Sequence, residues 1–280
     1  MYRVAEKKAL NSDTFLYRIE APLIAKKAKA GQFVILRVSE GGERIPLTIS
    51  DADREKGFVA IVFRIVGKTT ALLSKVPEGG YISDFAGPLG KPSDLEGIKK
   101  ACVVCGGTGA AIAFPLVKAI YESGAKADVV AGFRGKDFVI LEEEFCKNSD
   151  RFFLCTDDGS KGEKAFVTEK LRELLGGGEK YDKIFVIGPI PMMKAVCEIT
   201  REPKIKTVVS MNSIMLDGTG MCGACRLTVG GKTKFACVDG PEFDGHLVDF
   251  DEAEKRSAIY RKEEKESFEK HSCRLLGGTK

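Results

Sequence analysis

The periodicity of apolar residues changes once along this chain of 280 residues. Up to about residue 85, short β-prone runs such as GQFVILRVS and GFVAIVFRIV alternate in polarity and are separated by turns. Closely spaced strands of this kind are typical of an antiparallel barrel. From about residue 99, apolar strands such as ACVVC and KIFVIG alternate with helices, which predicts a doubly wound parallel sheet with right-handed crossovers.

Two further features divide the chain, which is long for one hydrophobic core. The Gly- and Pro-rich stretch GPLGKPSDLEG predicts a boundary between a barrel domain, 1–95, and a parallel-sheet domain, 96–211. A third segment, 212–280, begins with a cysteine cluster and ends in a charged helix, FDEAEKRSAIYRKEEKESFEK. We expect that helix to be either a solvated tail or a strap across another surface, such as a partner. The predicted fold class is therefore β plus α/β with a small C-terminal module.

Composition excludes several classes of protein. The 44 basic and 40 acidic residues nearly balance, so no nucleic-acid interface is expected. No run approaches the roughly 18 apolar residues of a membrane span, and the N-terminus lacks the apolar core of a signal peptide. These features predict a cytoplasmic protein without a membrane span. The nine cysteines are an odd number, which argues against a disulfide framework in a reducing compartment.

The strongest chemical signal is a cysteine cluster in the third segment. Eleven residues separate its last two cysteines, and the runs RLTV and KTKFAC joined by a Gly-Gly pair predict a hairpin there. Three thiolates and a fourth group suit structural zinc. They equally suit a [2Fe–2S] cluster, because the plant-type C-x4-C-x2-C spacing is matched if an aspartate occupies the first position. A turn-forming Asp-Gly is the alternative for that aspartate. The candidate ligands are Asp217, Cys222, Cys225 and Cys237.

Glycine-rich loops follow several strands of the predicted parallel sheet. The stretch CGGTGAA links the first strand to its helix, where a helix N-terminus can bind a pyrophosphate. The dinucleotide fingerprint is incomplete, because Ile112 stands where the third glycine belongs. A tight turn is the alternative. The loops CTDDGSKG and IGPIPMM should reach the same edge, and their convergence favours a nucleotide crevice.

Two motifs in the barrel segment also suggest phosphate or cofactor contacts. The stretch VGKTT is not a Walker loop, because Val62 stands where that loop needs a glycine. It predicts a helix start whose amides and hydroxyls either hold a phosphate or form a plain cap. In RIPLTIS, alternation should point Pro46 and Thr48 to one face and Leu47 and Ile49 to the other. An edge strand with an exposed arginine is the alternative.

Together these motifs resemble the ferredoxin-NADP reductase superfamily over nearly the whole chain. The resemblance rests on R-x-P-L-T-x-S, the G-K-x-T helix start and C-G-G-T-G, followed by D-G-T-G-M-C-G-A-C and A-C-V-D-G-P. The last two motifs are similar to a branch that includes electron-transfer subunits of dihydroorotate dehydrogenase and sulfide dehydrogenase and the small subunit of NADH-dependent ferredoxin:NADP oxidoreductase. Asp217 in place of cysteine and the extension 242–280 resemble the latter two members.

The resemblance assigns roles to residues of this sequence. It implies that FAD lies on the RIPLTIS strand, with Thr48 near the flavin ring and Arg44 near the pyrophosphate, and on the VGKTT helix start. Relatives commonly have glycine at position 69, where this chain has threonine. The implied FAD contacts are Arg44, Pro46, Leu47, Thr48, Ile49, Ser50, Gly67, Thr69 and Thr70. The implied NAD(H) contacts are Gly107, Thr108, Gly109, Asp158 and Gly188.

The resemblance also implies the activity. NADH would reduce FAD, and electrons would leave singly through the [2Fe–2S] cluster to a larger iron–sulfur flavoprotein subunit of a heterodimer. NADP and ferredoxin would be the substrates of that subunit, in an electron-bifurcating reaction. The cofactors would supply the chemistry, so no catalytic side chain is expected. The alternatives are a subunit of dihydroorotate or sulfide dehydrogenase and, more distantly, a non-enzymatic zinc-stabilised binding protein.

Overall fold

The computed structural model describes residues 1–275, with side chains up to residue 270. Its N-terminal part is a nearly closed antiparallel barrel with the strand order β6-β1-β2-β5-β4-β3-β7. Its elements are β1 (Tyr2–Ala9), β2 (Thr14–Glu20), α1 (Pro22–Lys27), β3 (Phe33–Arg37), β4 (Arg44–Asp53), β5 (Phe58–Arg64), α2 (Lys68–Leu73), β6 (Tyr81–Ile82) and β7 (Asp84–Leu89).

The barrel confirms the alternation expected for the RIPLTIS strand. Leu47 and Ile49 of β4 pack into the barrel core, whereas Pro46 and Thr48 do not belong to it. The buried Tyr17 hydroxyl donates to the carbonyls of Leu73, at 2.9 Å, and Val76, at 2.8 Å, which fixes the end of α2 on the barrel. Helix α1 was not predicted from the sequence, although Pro22 stands at its first turn, a position that proline favours.

The second part is the predicted doubly wound sheet. Its parallel strands are ordered β11-β10-β9-β8-β12-β13, and helices cover both faces. Cys102 and Cys105, three residues apart on β8, belong to the cores on opposite faces. The elements are β8 (Lys100–Gly106), α3 (Gly109–Glu122), β9 (Lys126–Phe133), α4 (Glu142–Asn148), β10 (Arg151–Thr156), β11 (Glu163–Lys164), α5 (Val167–Gly176), β12 (Lys183–Ile187), α6 (Ile190–Arg201) and β13 (Thr207–Ser210).

The third segment contains the predicted hairpin, formed by β14 (Arg226–Val229) and β15 (Lys232–Phe235). Strand β16 (Glu242–Asp244) follows and pairs antiparallel with β13, so part of this segment extends the nucleotide sheet. The boundaries 1–95, 96–211 and 212–280 remain predictions, and the last five residues of the third lie outside the described part of the chain.

The terminal helix predicted as one element is two. Helix α7 (Phe250–Ser257) and helix α8 (Arg261–Leu275) are separated by a short turn that contains neither glycine nor proline. Phe250 and Ala253 of α7 are buried, whereas Ile259 and Tyr260 at the turn are about half exposed. Helix α8 contacts α2 of the barrel. Within residues 1–275, no helix has the length and apolar character needed to cross a membrane.

Candidate functional site

The loop between β8 and α3 is built for a close approach of the backbone. Gly107 has a φ of 56°, and its N–H donates to the Gly132 carbonyl at 2.9 Å. A side chain at Gly107 would meet open space, whereas one at Gly109 would overlap the Ile187 carbonyl oxygen. Glycine at position 109 therefore lets α3 begin directly against β12, and its N-terminal turn faces the open edge beside Thr108. An anion fits such a helix N-terminus.

Two neighbouring loops reach the same edge, as the sequence predicted. Gly188, after β12, lies against Gly106. After β10, Asp158 accepts hydrogen bonds from Ser160, with its N–H at 2.9 Å and its hydroxyl at 2.6 Å, and these bonds hold the pKa of Asp158 below its usual range. Sequence reasoning missed Ser160, although a serine two residues after an aspartate is a turn signal.

The RIPLTIS strand lies against the nucleotide helix. The Ser50 hydroxyl of β4 donates to the Ala111 carbonyl of α3 at 3.0 Å, and Lys118 of α3 lies 3.0 Å from the Asp51 carboxylate. Thr48 is half-buried on the face of β4 directed away from the barrel core. Arg44 is exposed at the rim, 4.0 Å from the carboxylate of Asp84. The strand therefore contacts the nucleotide helix at Ser50 and Asp51, whereas Arg44 lies at its opposite end.

The start of α2 is a well-formed cap. The Thr70 hydroxyl accepts the N–H groups of Val66, at 3.0 Å, and Gly67, at 3.1 Å. The Thr69 hydroxyl donates to Glu43, a residue that the sequence did not single out. Both hydroxyls already have protein partners, so the cap interpretation holds, and a phosphate contact by Gly67, Thr69 and Thr70 stays a prediction.

The cysteine cluster is only partly assembled. The sulfur atoms of Cys225 and Cys237 are buried and 3.2 Å apart, whereas Cys222 is exposed. The Asp217 carboxylate accepts the N–H groups of Thr219, at 2.8 Å, and Cys222, at 2.9 Å. In the described part of the chain, no three Cys, His, Asp or Glu side chains are grouped closely enough to hold a metal ion.

The donor set nevertheless fits a metal cluster. Burial and, next, the neighbouring Cys225 thiol raise the pKa of Cys237 to about 12, so a bound cation is needed to keep the Cys237 sulfur as a thiolate. Hydrogen bonding by the Thr219 N–H holds the pKa of Asp217 low, so its carboxylate is ionised. Three sulfurs and one carboxylate, without histidine, can hold a [2Fe–2S] cluster. Asp217 keeps its turn role and remains a candidate ligand.

The cluster loop also packs on the barrel. The backbone of Gly218 lies so close to Ile35 and Leu89 that a side chain there would overlap both. Ile35 of β3 pairs with Pro46 of β4. The cluster loop therefore packs on the barrel strand that lies next to the RIPLTIS strand.

Comparison with known proteins agrees with this geometry. Residues 212–249 match the iron–sulfur cluster binding domain of dihydroorotate dehydrogenase B, and residues 103–198 match an oxidoreductase NAD-binding domain. The chain is 52% identical to an uncharacterized protein of Clostridium beijerinckii over 94% of this chain and 92% of that protein.

Two further similarities carry more functional information. The chain is 46% identical to a homolog of the dihydroorotate dehydrogenase B (NAD(+)) electron transfer subunit from Thermotoga maritima, over 95% of this chain and 94% of that one. It also superposes with a TM-score of 0.91 and 44% identity on a chain from the structure of NADH-dependent reduced ferredoxin-NADP oxidoreductase, covering 97% of this chain and 98% of that one. This chain therefore belongs to the family of dihydroorotate dehydrogenase B electron transfer subunits, oxidoreductase subunits that combine an NAD-binding domain with an iron–sulfur cluster-binding domain.

Proposed function

We propose that this chain is the NADH-oxidising, FAD- and [2Fe–2S]-containing subunit of an electron-bifurcating NADH-dependent ferredoxin:NADP oxidoreductase. FAD accepts the electron pair of a hydride and releases electrons singly, and a [2Fe–2S] cluster carries single electrons. The observation that carries the proposal is the position of β4. Strand β4 contacts α3 of the nucleotide domain through Ser50. It also pairs with β3, and Ile35 of β3 contacts Gly218 of the cluster loop.

The chain's own residues position and hold the cofactors in this proposal. Gly107, Thr108 and Gly109 offer the N-terminus of α3 to the nucleotide pyrophosphate, and Gly188 leaves room beside them. Asp158 follows β10, the second strand from β8, and neighbouring strands are about 4.8 Å apart, so its loop lies about 10 Å from the Gly107 loop. Its ionised carboxylate, held by Ser160, suits a ribose diol of NAD(H).

For the flavin, the exposed guanidinium of Arg44 would pair with the pyrophosphate, and Thr48 would face the ring. Gly67, Thr69 and Thr70 would adjoin the phosphates at the start of α2. The other residues of this strand would hold it in position beside the flavin. Ser50 bonds β4 to α3, and Leu47 and Ile49 pack in the barrel core. Pro46 lies on the same strand face as Thr48.

The metal ligands in this proposal are Asp217, Cys222, Cys225 and Cys237. Cys222 lies at the surface, and three apolar residues of the cluster segment are exposed as well: Leu216, Met221 next to Cys222, and Val238 next to Cys237. Exposed apolar residues beside candidate ligands support docking of a partner protein at this segment. We infer that the partner is a larger iron–sulfur flavoprotein subunit that reacts with ferredoxin and NADP.

The test is anaerobic purification of the chain from its native cells with its partner. We expect a coloured complex that contains FAD and about two iron atoms per copy of this chain, and that couples NADH and reduced ferredoxin to NADP reduction. A Cys237→Ser variant should retain NADH-dependent dye reduction but lose electron transfer to the partner. A colourless protein with zinc and no iron would refute the proposal and support a structural zinc module.

A second candidate is the electron-transfer subunit of a dihydroorotate dehydrogenase, which the family match at residues 212–249 and the Thermotoga maritima relative favour. The same purified complex separates the two candidates. Dihydroorotate-dependent reduction of NAD without any need for ferredoxin would support the second candidate. Sulfide as the effective electron donor would point instead to a sulfide dehydrogenase.

A further inference from the structure

Helix α7 attaches the cluster module to the nucleotide domain. On one side, Asp251 pairs with Lys194 of α6 at 2.7 Å. On the other, Glu252 accepts the N–H of Thr228 in β14 at 2.9 Å, and the Asp249 N–H donates to the Thr228 carbonyl at 2.9 Å. Helix α7 is therefore a strap across the chain's own cluster module.

Two arginines contact the short loop between Cys222 and Cys225. Arg226 of β14 donates to the Gly223 carbonyl at 3.2 Å, and Arg256 of α7 donates to the Ala224 carbonyl at 3.0 Å. Arg226 is exposed, whereas Arg256 is half-buried. Each of the two carbonyls between these cysteines thus accepts a hydrogen bond from a guanidinium.

Arg256 forms no salt bridge with a carboxylate of the described residues. Within the residues that the structure describes, neither Arg256 nor Arg226 has a carboxylate oxygen within the 4.0 Å limit of a salt bridge. A cavity of about 20 Å³, lined in part by both arginines, Asn212 and Ser213, adjoins the loop. It has space for about one water molecule. The half-buried guanidinium therefore carries a positive charge beside the cluster loop, with a main-chain carbonyl as its protein partner.

Such a charge has a direct consequence for a cluster at this loop. Four anionic ligands leave a [2Fe–2S] site net negative, and reduction makes it more negative. A nearby cation stabilises the reduced form more than the oxidised form, and the effect is larger where water screens it less. A donor that fixes a ligand-bearing loop also slows loss of the metal.

We propose that Arg256 is a positioning residue for the iron–sulfur centre, which holds the loop from Cys222 to Cys225 in place and raises the reduction potential of the cluster. The inference rests on the proposed function, because it requires a [2Fe–2S] cluster at the four ligands. It assigns a role in cluster chemistry to the extension that follows the hairpin, since α7 supplies the residue.

The experiment compares three variants of the full chain, purified anaerobically with its partner. Arg256→Gln removes the charge, and Arg256→Lys keeps it. Arg226→Gln is the matched control, because it removes an exposed guanidinium that contacts the same loop. The readouts are iron per chain, the EPR spectrum of the reduced cluster, its midpoint potential in a redox titration and the rate of iron loss to a chelator.

We expect Arg256→Gln to lower the midpoint potential and to accelerate iron loss about tenfold. Compared with Arg256→Gln, Arg256→Lys should recover most of the parent's midpoint potential but only part of its iron retention, because lysine supplies the charge without the planar donor group. Arg226→Gln should shift the potential less, since solvent screens its charge. If Arg256→Gln loses all its iron, the potential of Arg256→Lys supplies the test, and a large fall there overturns the role of charge.

Three results would overturn the proposal. One is an Arg256→Gln variant with the parent's potential and iron retention. Another is an equal shift in Arg226→Gln, which would mean that the half-buried position has no special effect. The third is a parent protein with zinc and no iron, which would refute the proposed function as well. If the parent contains iron and Arg256→Gln changes neither the potential nor the iron retention, this inference alone is refuted.

Discussion

The nucleotide domain and the cluster module bind their ligands with different amounts of support from the fold. Strands β8, β9 and β12 are almost completely buried between two apolar cores. The cluster module has a two-stranded hairpin as its sheet, and such a hairpin is marginally stable by itself. The nucleotide edge therefore rests on strands buried in the core, whereas the cluster site rests on a small hairpin whose folding a shared metal would stabilise.

Removal of iron should affect the two regions very differently. We expect anaerobic chelation to increase amide hydrogen exchange in the hairpin 226–235 about 100-fold or more, because metal binding contributes directly to folding of such modules. Amides of β8 and β12 are the internal control and should keep their protection. A hairpin that stays protected without iron would mean that packing on the barrel and α7 is sufficient.

The second prediction concerns a charge network at the opposite edge of the nucleotide sheet. Asp128, with a side chain only 1% exposed, pairs with Arg151 and Lys100 and accepts the Tyr181 hydroxyl at 2.8 Å. We expect Asp128→Asn to lower the free energy of unfolding by about 2–3 kcal/mol, because Arg151 and Lys100 lose their buried carboxylate and keep only the more exposed Glu179. Urea unfolding followed by tyrosine fluorescence measures it. Glu143→Gln, on an exposed carboxylate paired with the exposed Lys147, is the control and should cost less than about 1 kcal/mol.

The stability difference between the parent and Asp128→Asn should depend on pH. Burial raises the pKa of Asp128, but hydrogen bonds from Arg151 and Tyr181 and the charges of Arg151 and Lys100 outweigh it, so the pKa lies below its usual range. The stabilisation is therefore complete above the ordinary carboxyl pKa and is lost as the pH falls through the lowered value. The difference between parent and Asp128→Asn should shrink in acid. A difference that is constant with pH would contradict the assignment.

The third prediction concerns the tight start of α3. Gly109→Ala should cost about 2 kcal/mol and weaken NADH binding, because the new methyl group meets the backbone of β12 rather than a flexible side chain. Gly107→Ala, which has open space but a φ of 56°, should cost about 1 kcal/mol. Thermal unfolding and NADH titration measure both. Equal costs at the two glycines would remove the evidence for close packing at Gly109.

The fourth and smallest effect concerns Asp217. Asp217→Cys should keep a two-iron cluster with a changed EPR spectrum and potential, whereas Asp217→Ala should lower iron retention about tenfold. Part of the loss in Asp217→Ala comes from the N–H groups of Thr219 and Cys222, which lose their acceptor. If both variants match the parent in spectrum and iron content, Asp217 is only a turn residue.

Much of the fold follows from local sequence patterns. The apolar strands from Lys100 to Ser210, their helices and the hairpin turn at Gly230-Gly231 are each encoded within a few consecutive residues. Periodicity and turn chemistry therefore predict them. The glycine-rich loops could be placed at one edge for the same reason, since parallel strands bring their carboxyl ends together.

Other features depend on residues far apart in the chain. The pairing of β16 with β13, the contact of α7 with both α6 and the hairpin, and the bond from Ser50 to Ala111 have no local signal. The hydrogen bond from Arg256 to the Ala224 carbonyl also has no local signal in the sequence, because an arginine in a charged helix usually faces solvent.

The classes of secondary structure, the two sheet types and the four spaced ligand candidates follow from the amino-acid sequence, because each depends on residue type and short-range spacing. How these parts meet follows from the folded chain. The fold brought the Cys225 and Cys237 sulfurs to 3.2 Å, placed β4 against the nucleotide helix and beside the strand on which the cluster loop packs, and turned helix α7 of the charged tail into a strap. Those arrangements depend on burial and on hydrogen bonds across domain boundaries, where interactions between distant residues outweigh local propensity.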